Sequence, residues 1–253
     1  MADIRSFAIR ELGLEENRNY TRYVELDRDY LAAVVSASHR DSFRRHEWRF
    51  PIVGTVPYKG FFDEEDAREE AEKLKARDLD VWVRRVDAFS TLGWFSDPLY
   101  SYMTGYPSHR LAELLIHEGF HATVFLKNRV QFNEELAEFV GREGARLYME
   151  KTFSRESAEY RVMEDAAADA DAYIAFVQGL IVRLGELYSG GAGRDEILRR
   201  KEEIIRAAQA EFAETYENRF RGGGYRGFAR LQVNNAYLEL FRLYHDGSAF
   251  FRD

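Results

Sequence analysis

Apolar and polar positions follow two different patterns along this chain, and the change falls near residue 108. Before it, short apolar runs rich in β-branched and aromatic residues predict strands at 30–37, 47–56 and 79–86. Residues 88–95 are a further extended candidate. After it, apolar residues recur at helical spacing. The helices predicted there cover 108–127, 132–152, 156–188, 194–219 and 230–244.

Two shorter helices are predicted in the first half. Residues 3–12 place apolar side chains on one face. Residues 63–77 begin with acids and end with Lys and Arg, and Asp63 is the expected N-cap. Glycines and a proline between 54 and 60 predict a turn. The elements together predict an α+β protein, with a small, mostly antiparallel sheet in the N-terminal half and helices in the C-terminal half.

The domain organisation follows from the lack of any flexible, low-complexity linker in the sequence. We predict a single domain over 1–253, with a sheet-bearing lobe at 1–105 and a helical lobe at 106–253. The sequence does not give the oligomeric state.

Composition excludes several kinds of function. The chain has 253 residues, a net charge of -8 and no cysteine. Its dispersed acidic surface makes nucleic acid an unfavourable partner, and the lack of cysteine excludes disulfides, thiolate metal sites and cysteine nucleophiles. No apolar run is long enough for a transmembrane helix, and the N-terminus has no secretory signal, so we expect a soluble, cytoplasmic chain as the sequence stands.

One motif in the first long helix carries chemistry. His117-Glu118-Gly119-Phe120-His121 places two histidines four residues apart, on one face of a helix, where both imidazoles can bind one metal ion. Glu118 lies about 100° round the helix from His117 and is free to act as a general base on a water molecule. Apolar residues flank the motif on both sides, and burying these three side chains without partners would be costly.

The next helix offers the missing ligand. Catalytic zinc usually takes three protein ligands and a water, and Asn133-Glu134 follows a short turn, so Glu134 is the predicted third ligand of one Zn²⁺ per chain. Ala137 is small enough for the two helices to approach closely. Glu138 lies one turn beyond Glu134, where it can accept the other ring N–H of His117 and fix its tautomer. Glu135 is expected on the solvated surface.

A di-iron carboxylate site is the rival interpretation. Glu118-x-x-His121 matches half of that pattern, but the fold needs a second Glu-x-x-His, and the sequence has none.

H-E-x-x-H followed by N-E-x-x-A resembles the gluzincin metallopeptidases, in which the glutamate of the second motif is the third zinc ligand. Glu134 takes that place here, and Glu138 matches their acidic residue one turn later. Twelve residues separate His121 from Glu134, fewer than in the best-known gluzincins. The resemblance implies a zincin-like fold with the active-site helix between the sheet and the helical half.

A closer resemblance covers nearly the whole chain. VPYKGFFDEEDA, STLGWFSDP, the two metal motifs with REGA, and LQVNNAYLELFRLYHD are similar, in order, to a bacterial family of predicted aminopeptidases. Members of that family typically begin with a lipoprotein-type signal, which implies a periplasmic or lipid-anchored location if this sequence is a trimmed form. The usual HELAH of the family is HEGFH here.

The two resemblances also predict roles for three further site residues. In gluzincins the strand before the metal helix is an exposed edge that pairs with the peptide substrate, which implies substrate-binding roles for Gly93 and Trp94. Tyr244, in the C-terminal block beside His245, is the predicted donor to the reaction's oxyanion. Lys59, Arg142 and Glu143 are expected to have ordinary surface or bracing roles.

The function predicted from the sequence is zinc-dependent hydrolysis of peptide bonds, with Glu118 as the general base and possible aminopeptidase action. Two alternatives stay open. One is a metal-binding protein that binds or regulates without turnover, and the other is a zinc hydrolase of a non-peptide amide. The motif does not separate exopeptidase from endopeptidase action, and it does not identify a carboxylate that would anchor a substrate ammonium.

Overall fold

The structure is a computed structural model, and it describes residues 1–50, 54–87, 97–126 and 129–243. Within these ranges it has seven α-helices and seven short strands. The helices are α1 (Ala2–Arg10), α2 (Glu64–Lys75), α3 (Ser108–Thr123), α4 (Val130–Thr152), α5 (Ala158–Ser189), α6 (Arg194–Arg219) and α7 (Asn235–Leu243). The strands are β1 (Tyr23–Val24), β2 (Ala32–His39), β3 (Trp48–Phe50), β4 (Gly54–Val56), β5 (Tyr58–Phe61), β6 (Leu79–Val86) and β7 (Leu99–Tyr100).

These elements confirm the α+β prediction, with small antiparallel sheets in the N-terminal half and helices in the C-terminal half. None of the described helices combines the length and apolar character that crossing a membrane requires. The described residues form two compact units, one within residues 1–31 and 87–164, the other within residues 32–86 and 165–243. The single domain with lobes divided at residue 105 stays a prediction.

The first unit is a helical packing around α3. The buried face of α3 includes Leu111, Ala112, Leu115 and Ile116, and it packs against both α1 and α4. Two-residue strands β1 and β7 pair in parallel in the same unit. This unit therefore holds α3 from two sides through apolar contacts, and α3 is the helix that carries the predicted metal motif.

The second unit contains a three-stranded antiparallel sheet in the order β5-β2-β6. The central strand β2 is buried along almost its whole length, and α2 packs over the sheet through Ala67, Ala71 and Leu74. Asp63 caps α2 as predicted, because its side chain accepts the backbone N–H of Glu65. The sheet thus has an apolar core on its α2 face.

The predicted strand at 47–56 and the turn over residues 54–60 are both wrong in detail. Residues 48–50 and 54–56 form an antiparallel pair, β3 and β4, in which Phe50 lies opposite Gly54. Gly54 has a φ of +77°, which only glycine adopts easily. Gly60 lies on β5, opposite Val34, instead of in a turn. Tertiary pairing decided the structure here, where glycine and proline suggested a turn.

The helical part of the second unit has an aromatic core. Its largest fully buried side chain is Phe212 of α6, and Phe176, Phe220 and Phe228 surround it at centroid distances of 4.9–5.2 Å. The predicted helix at 230–244 is shorter than expected: a 3-10 helix covers Arg226–Arg230, and α7 begins at Asn235. Asn234 sets that start, because its side chain accepts the backbone N–H of Tyr237.

Candidate metal centre

Helix α3 brings the two histidines of the motif together. Their Nε2 atoms are 3.1 Å apart, and the ring planes are nearly perpendicular at 81°. His121 is buried and His117 is partly exposed, because the motif lies at the border between the apolar face of α3 and the solvent. Two imidazole nitrogens at this separation, with one of them accessible, can share a single metal ion.

Helix α4 brings Glu134 to the same point. Its carboxylate oxygens lie 3.7 Å from Nε2 of His117 and 3.5 Å from Nε2 of His121. Ligand atoms about 2.0–2.2 Å from a tetrahedral metal are separated from one another by roughly 3.4 Å, and the three distances here bracket that value. His117, His121 and Glu134 could therefore hold a metal ion, and within the described ranges they form the one such group.

The connection between α3 and α4 depends on Asn133. Helix α3 ends at Thr123, earlier than the predicted 127, because Val124 is extended. Asn133 is buried, and its side chain both accepts the backbone N–H of Leu126 and donates to the backbone oxygen of Leu126. These bonds hold the extended segment against the start of α4, so that the next residue, Glu134, faces the histidines. The asparagine of the N-E-x-x-A motif is thus a structural clamp.

Small residues let α4 lie close to the metal motif. Ala137, which is predicted to let the two helices approach closely, is fully buried, and Gly141 follows one turn later. A Cβ at Gly141 would lie 3.1 Å from Cβ of His117 and 3.1 Å from the backbone oxygen of Glu113. A Cβ at Gly144 would lie only 2.9 Å from Ile116. The sequence analysis missed both glycines, although their spacing of seven and ten residues from Glu134 is helical and was visible.

Gly119, inside the motif, has no such steric role. A Cβ there would lie 3.5 Å from Leu14, which is ordinary van der Waals contact.

The electrostatics of the three candidate ligands favour a charged pair when no metal is bound. Burial acts to raise the pKa of Glu134, but hydrogen bonds with His117 and His121 and their positive charge outweigh it and lower the pKa to about 2. Burial acts to lower the pKa of His117, but the hydrogen bond to Glu134 and the charges of Glu118, Glu134 and Glu138 raise it. Without a metal, the ionised carboxylate of Glu134 is therefore paired with the proton that His117 holds, and a divalent cation would replace that proton as the partner of the carboxylate.

Glu118 is placed differently from the three candidate ligands. Its side chain is buried, and it is not a member of the candidate metal group. Burial raises the pKa of its carboxyl, the neighbouring histidines lower it, and the charges of Glu134 and Asp97 raise it further. A carboxylate with a raised pKa next to a candidate metal group is suited to accepting and returning a proton.

Glu138 lies near His117 without a direct bond to it. Its charge raises the pKa of His117, but no hydrogen bond joins the two among the described residues. Burial raises the pKa of Glu138 itself, and Arg142 lowers it. The predicted contact to the far nitrogen of His117 stays a prediction. The Nδ1 atom of His121 is buried and also lacks a hydrogen-bond partner in the described part of the chain.

The remaining predicted site residues divide into two groups. Gly93, Trp94, Tyr244 and His245, together with the extended candidate at 88–95, lie outside the described residues. The others have structural partners. Lys59, expected to be an ordinary surface lysine, pairs with Glu70 at 3.5 Å in the second unit. Glu143, expected to brace its helix, accepts a hydrogen bond from Arg146 on that helix at 2.9 Å.

A family model described as "Putative aminopeptidase" matches residues 1–253, the full length of the chain. The chain belongs to this family. Its membership supports an aminopeptidase-like hydrolase, while the description names neither a metal nor a catalytic residue. No curated protein and no solved structure matches the chain.

The C-terminal sequence block that resembles this aminopeptidase family includes Asn235, which has a structural role in the second unit. Asn235 is fully buried, and its side chain donates to backbone oxygens of His39 and Ser42. Its backbone N–H donates to Asp80, which also pairs with the buried Lys201. In this family member, Asn235 therefore organises a buried polar network of the second unit.

Proposed function

We propose that this aminopeptidase family member is a zinc-dependent peptidase of the gluzincin type. The observation that carries the proposal is the convergence of His117, His121 and Glu134, with ligand-atom separations that fit one tetrahedral ion. Two histidines and one glutamate are the ligand set of zinc peptidases such as thermolysin. Glu134 is 42% exposed at its side chain, so the ion and its fourth ligand would be accessible from solvent.

When bound, a zinc ion supplies Lewis-acid chemistry, because it polarises a carbonyl group and lowers the pKa of a water molecule to about 7. The chain's own contribution begins with Glu118, whose buried carboxylate takes a proton from the attacking water. The water oxygen forms a bond to the peptide carbon, and the carbonyl π electrons move to the carbonyl oxygen. Glu118 then delivers the proton to the departing amine as the C–N bond breaks.

Glu138 is proposed to support this site because its negative charge acts on the nearby imidazole of His117. Gly93 and Trp94 remain the proposed peptide-binding residues.

The test is hydrolysis of a mixed peptide library by the zinc-loaded protein and by Glu118→Gln. We expect cleavage by the wild type, and a loss of about 10²- to 10⁴-fold in Glu118→Gln with its zinc retained, because glutamine cannot accept the proton. Comparing free and N-acetylated peptides tests the aminopeptidase action: hydrolysis restricted to free N-termini would support it. Full activity in Glu118→Gln would contradict the mechanism.

Zinc binding without cleavage of any peptide would instead support one of two other functions. A binding or regulatory role predicts no turnover at all, whereas hydrolysis of non-peptide amides predicts turnover that again depends on Glu118.

A further inference from the structure

We propose that Phe125 and Leu126 form an apolar subsite of this peptidase, which binds an aliphatic or aromatic side chain of the substrate next to the bond that is cleaved. The inference rests on the proposed function, because the subsite serves a peptide held at the candidate metal centre. Both residues lie inside the helix predicted at 108–127, but α3 ends at Thr123 and leaves them in an extended segment, 124–126.

The segment 124–126 starts at the end of α3 that carries the metal motif. Helix α3 ends two residues after the candidate ligand His121, and Val124 is extended, with φ of −131° and ψ of +120°. The backbone N–H of Val124 donates to the backbone oxygen of Phe120 at 2.8 Å, which ties the start of the segment to the last turn of α3. The segment therefore leaves the helix beside one of the two histidines.

The other end of the segment is bonded to the neighbour of the third candidate ligand. The backbone N–H of Leu126 donates to the side chain of Asn133 at 3.0 Å, and the backbone oxygen of Leu126 accepts from it at 2.9 Å. Asn133 is 3% exposed and directly precedes Glu134, whose carboxylate oxygens lie 3.5–3.7 Å from Nε2 of the two histidines. The segment thus borders the metal group from His121 to Glu134.

Phe125 and Leu126 are exposed although both are large and apolar. Their exposed fractions are 46% and 45%, whereas Val124 is partly buried and packs against the apolar core of the first unit. Side chains of successive residues in an extended segment point to opposite sides, so Phe125 points away from that core. Among the exposed large apolar side chains of the described ranges, these are the only two adjacent in sequence. Exposed apolar groups that adjoin a candidate ligand group are typical of a binding site.

A peptide held at the metal group can reach this segment. When its scissile carbonyl lies at the metal, an extended peptide continues by about 3.3 Å per residue in each direction. Consecutive Cα atoms are about 3.8 Å apart, and Leu126 is within hydrogen-bond distance of the residue next to Glu134. The substrate residues that flank the scissile bond are therefore the ones whose side chains meet Phe125 and Leu126.

The chemistry of the segment favours an apolar side chain over a charged one. The backbone N–H and oxygen of Leu126 are already bonded to Asn133, so the segment presents mainly apolar surface. Covering this surface with an aliphatic or aromatic side chain removes apolar area of both partners from water, whereas a charged side chain would lose hydration. The bonds to Asn133 also fix the backbone before the substrate binds, which lowers the entropy cost of binding.

The experiment measures kcat/KM for peptides that carry Leu, Phe or Gly at one residue beside the scissile bond, varied on each side of the bond in turn. The full-length zinc-loaded proteins are the wild type, Phe125→Ser, Leu126→Ser and Leu147→Ser. Leu147 is the matched control, because it is a 41% exposed apolar residue of the same unit and lies about 20 Å along α4 from Glu134.

We expect the wild type to prefer Leu and Phe over Gly on one side of the scissile bond. Phe125→Ser and Leu126→Ser should each lower that preference by about 5- to 20-fold, because less apolar surface is buried with the large side chain, and should leave kcat/KM for the Gly peptide unchanged. Leu147→Ser should change neither value. The ratio of two kcat/KM values is independent of the concentration of active enzyme, so a loss of folded or zinc-loaded protein cannot imitate this result.

Three results would overturn the subsite and leave the proposed peptidase function standing. They are a wild type that cleaves Gly and Leu peptides equally well, a preference that survives in both Phe125→Ser and Leu126→Ser, and an equal loss of kcat/KM for all peptides, which would assign the two residues a structural role. A wild type that binds zinc but cleaves no peptide would overturn the proposed function, and the subsite with it.

Discussion

Gly141→Ala should weaken metal binding although residue 141 is not itself a candidate metal ligand. The added Cβ would lie 3.1 Å from Cβ of His117 and 3.1 Å from the backbone oxygen of Glu113, distances that require a shift of a few tenths of an ångström. Both contacted atoms belong to α3 at or next to its backbone, so neither can rotate away as a side-chain end could. Helix α4 must move instead, and Glu134 moves with it.

The expected loss of zinc affinity follows from how small a displacement of its ligands a metal site tolerates. Ligand distances vary by about 0.2 Å in good sites, which is no larger than the shift that Gly141→Ala imposes. We therefore expect zinc affinity to fall by about 10- to 100-fold, as it does when groups that support metal ligands are lost. The intrinsic helix preference of alanine over glycine, up to about 1 kcal/mol, acts in the opposite direction on folding and does not restore the ligand position.

Competition with a chromogenic chelator measures the zinc affinity, and two other glycines provide controls. Gly185, on α5, has open space around it, so Gly185→Ala should keep the affinity and raise the free energy of unfolding slightly. Gly144→Ala should mainly destabilise the unit, because its Cβ would overlap Ile116 and Leu12. Folded Gly141→Ala that binds zinc as tightly as Gly185→Ala would show that close packing at Gly141 does not position Glu134.

Two further predictions concern stability. For the metal-free protein, the lowered pKa of Glu134 gives stability that is present above pH 4.5 and lost as pH falls toward 2. The raised pKa values of His117 and Glu118 give stability that is lost as pH rises through those pKa values. The thermal midpoint of the metal-free protein should therefore be higher near about pH 5.5 than near about pH 8. Glu134→Gln should reduce this difference in thermal midpoint, because Glu134 helps to raise the pKa of His117. A flat profile in thermal scans with chelator would contradict this. In the second unit, Asp80→Asn should cost about 3–5 kcal/mol in urea unfolding, because it leaves the buried ammonium of Lys201 without its carboxylate. The exposed Asp78→Asn should cost much less, and equal costs for the two variants would be inconsistent with the burial of Lys201.

The metal motif could be predicted from the sequence because its determinants are local. The spacing of His117 and His121 on one helix fixes their mutual position, and a short connection restricts where Glu134 can lie. The N-cap at Asp63 was predictable for the same reason. The structure places these residues as the local rules require.

What could not be predicted depends on contacts between distant segments. The pairing of β1 with β7 joins residues 76 positions apart, and two-residue strands have no periodicity to detect. Gly60 suggested a turn, but its pairing with Val34 made it part of a strand. Gly141 allows α4 to pack closely against α3, and that contact between two helices has no local sequence signal.

Elemental mass spectrometry of the purified wild type, Glu134→Ala and Glu135→Ala is the decisive test of the proposed metal centre. The account predicts about one zinc per chain in the wild type and in Glu135→Ala, and loss of zinc from Glu134→Ala, since Glu134 completes a three-ligand site and Glu135 does not belong to it. A carefully prepared wild type without zinc, or a zinc content unaffected by Glu134→Ala, would contradict the proposed metal centre and remove the main support for peptidase function.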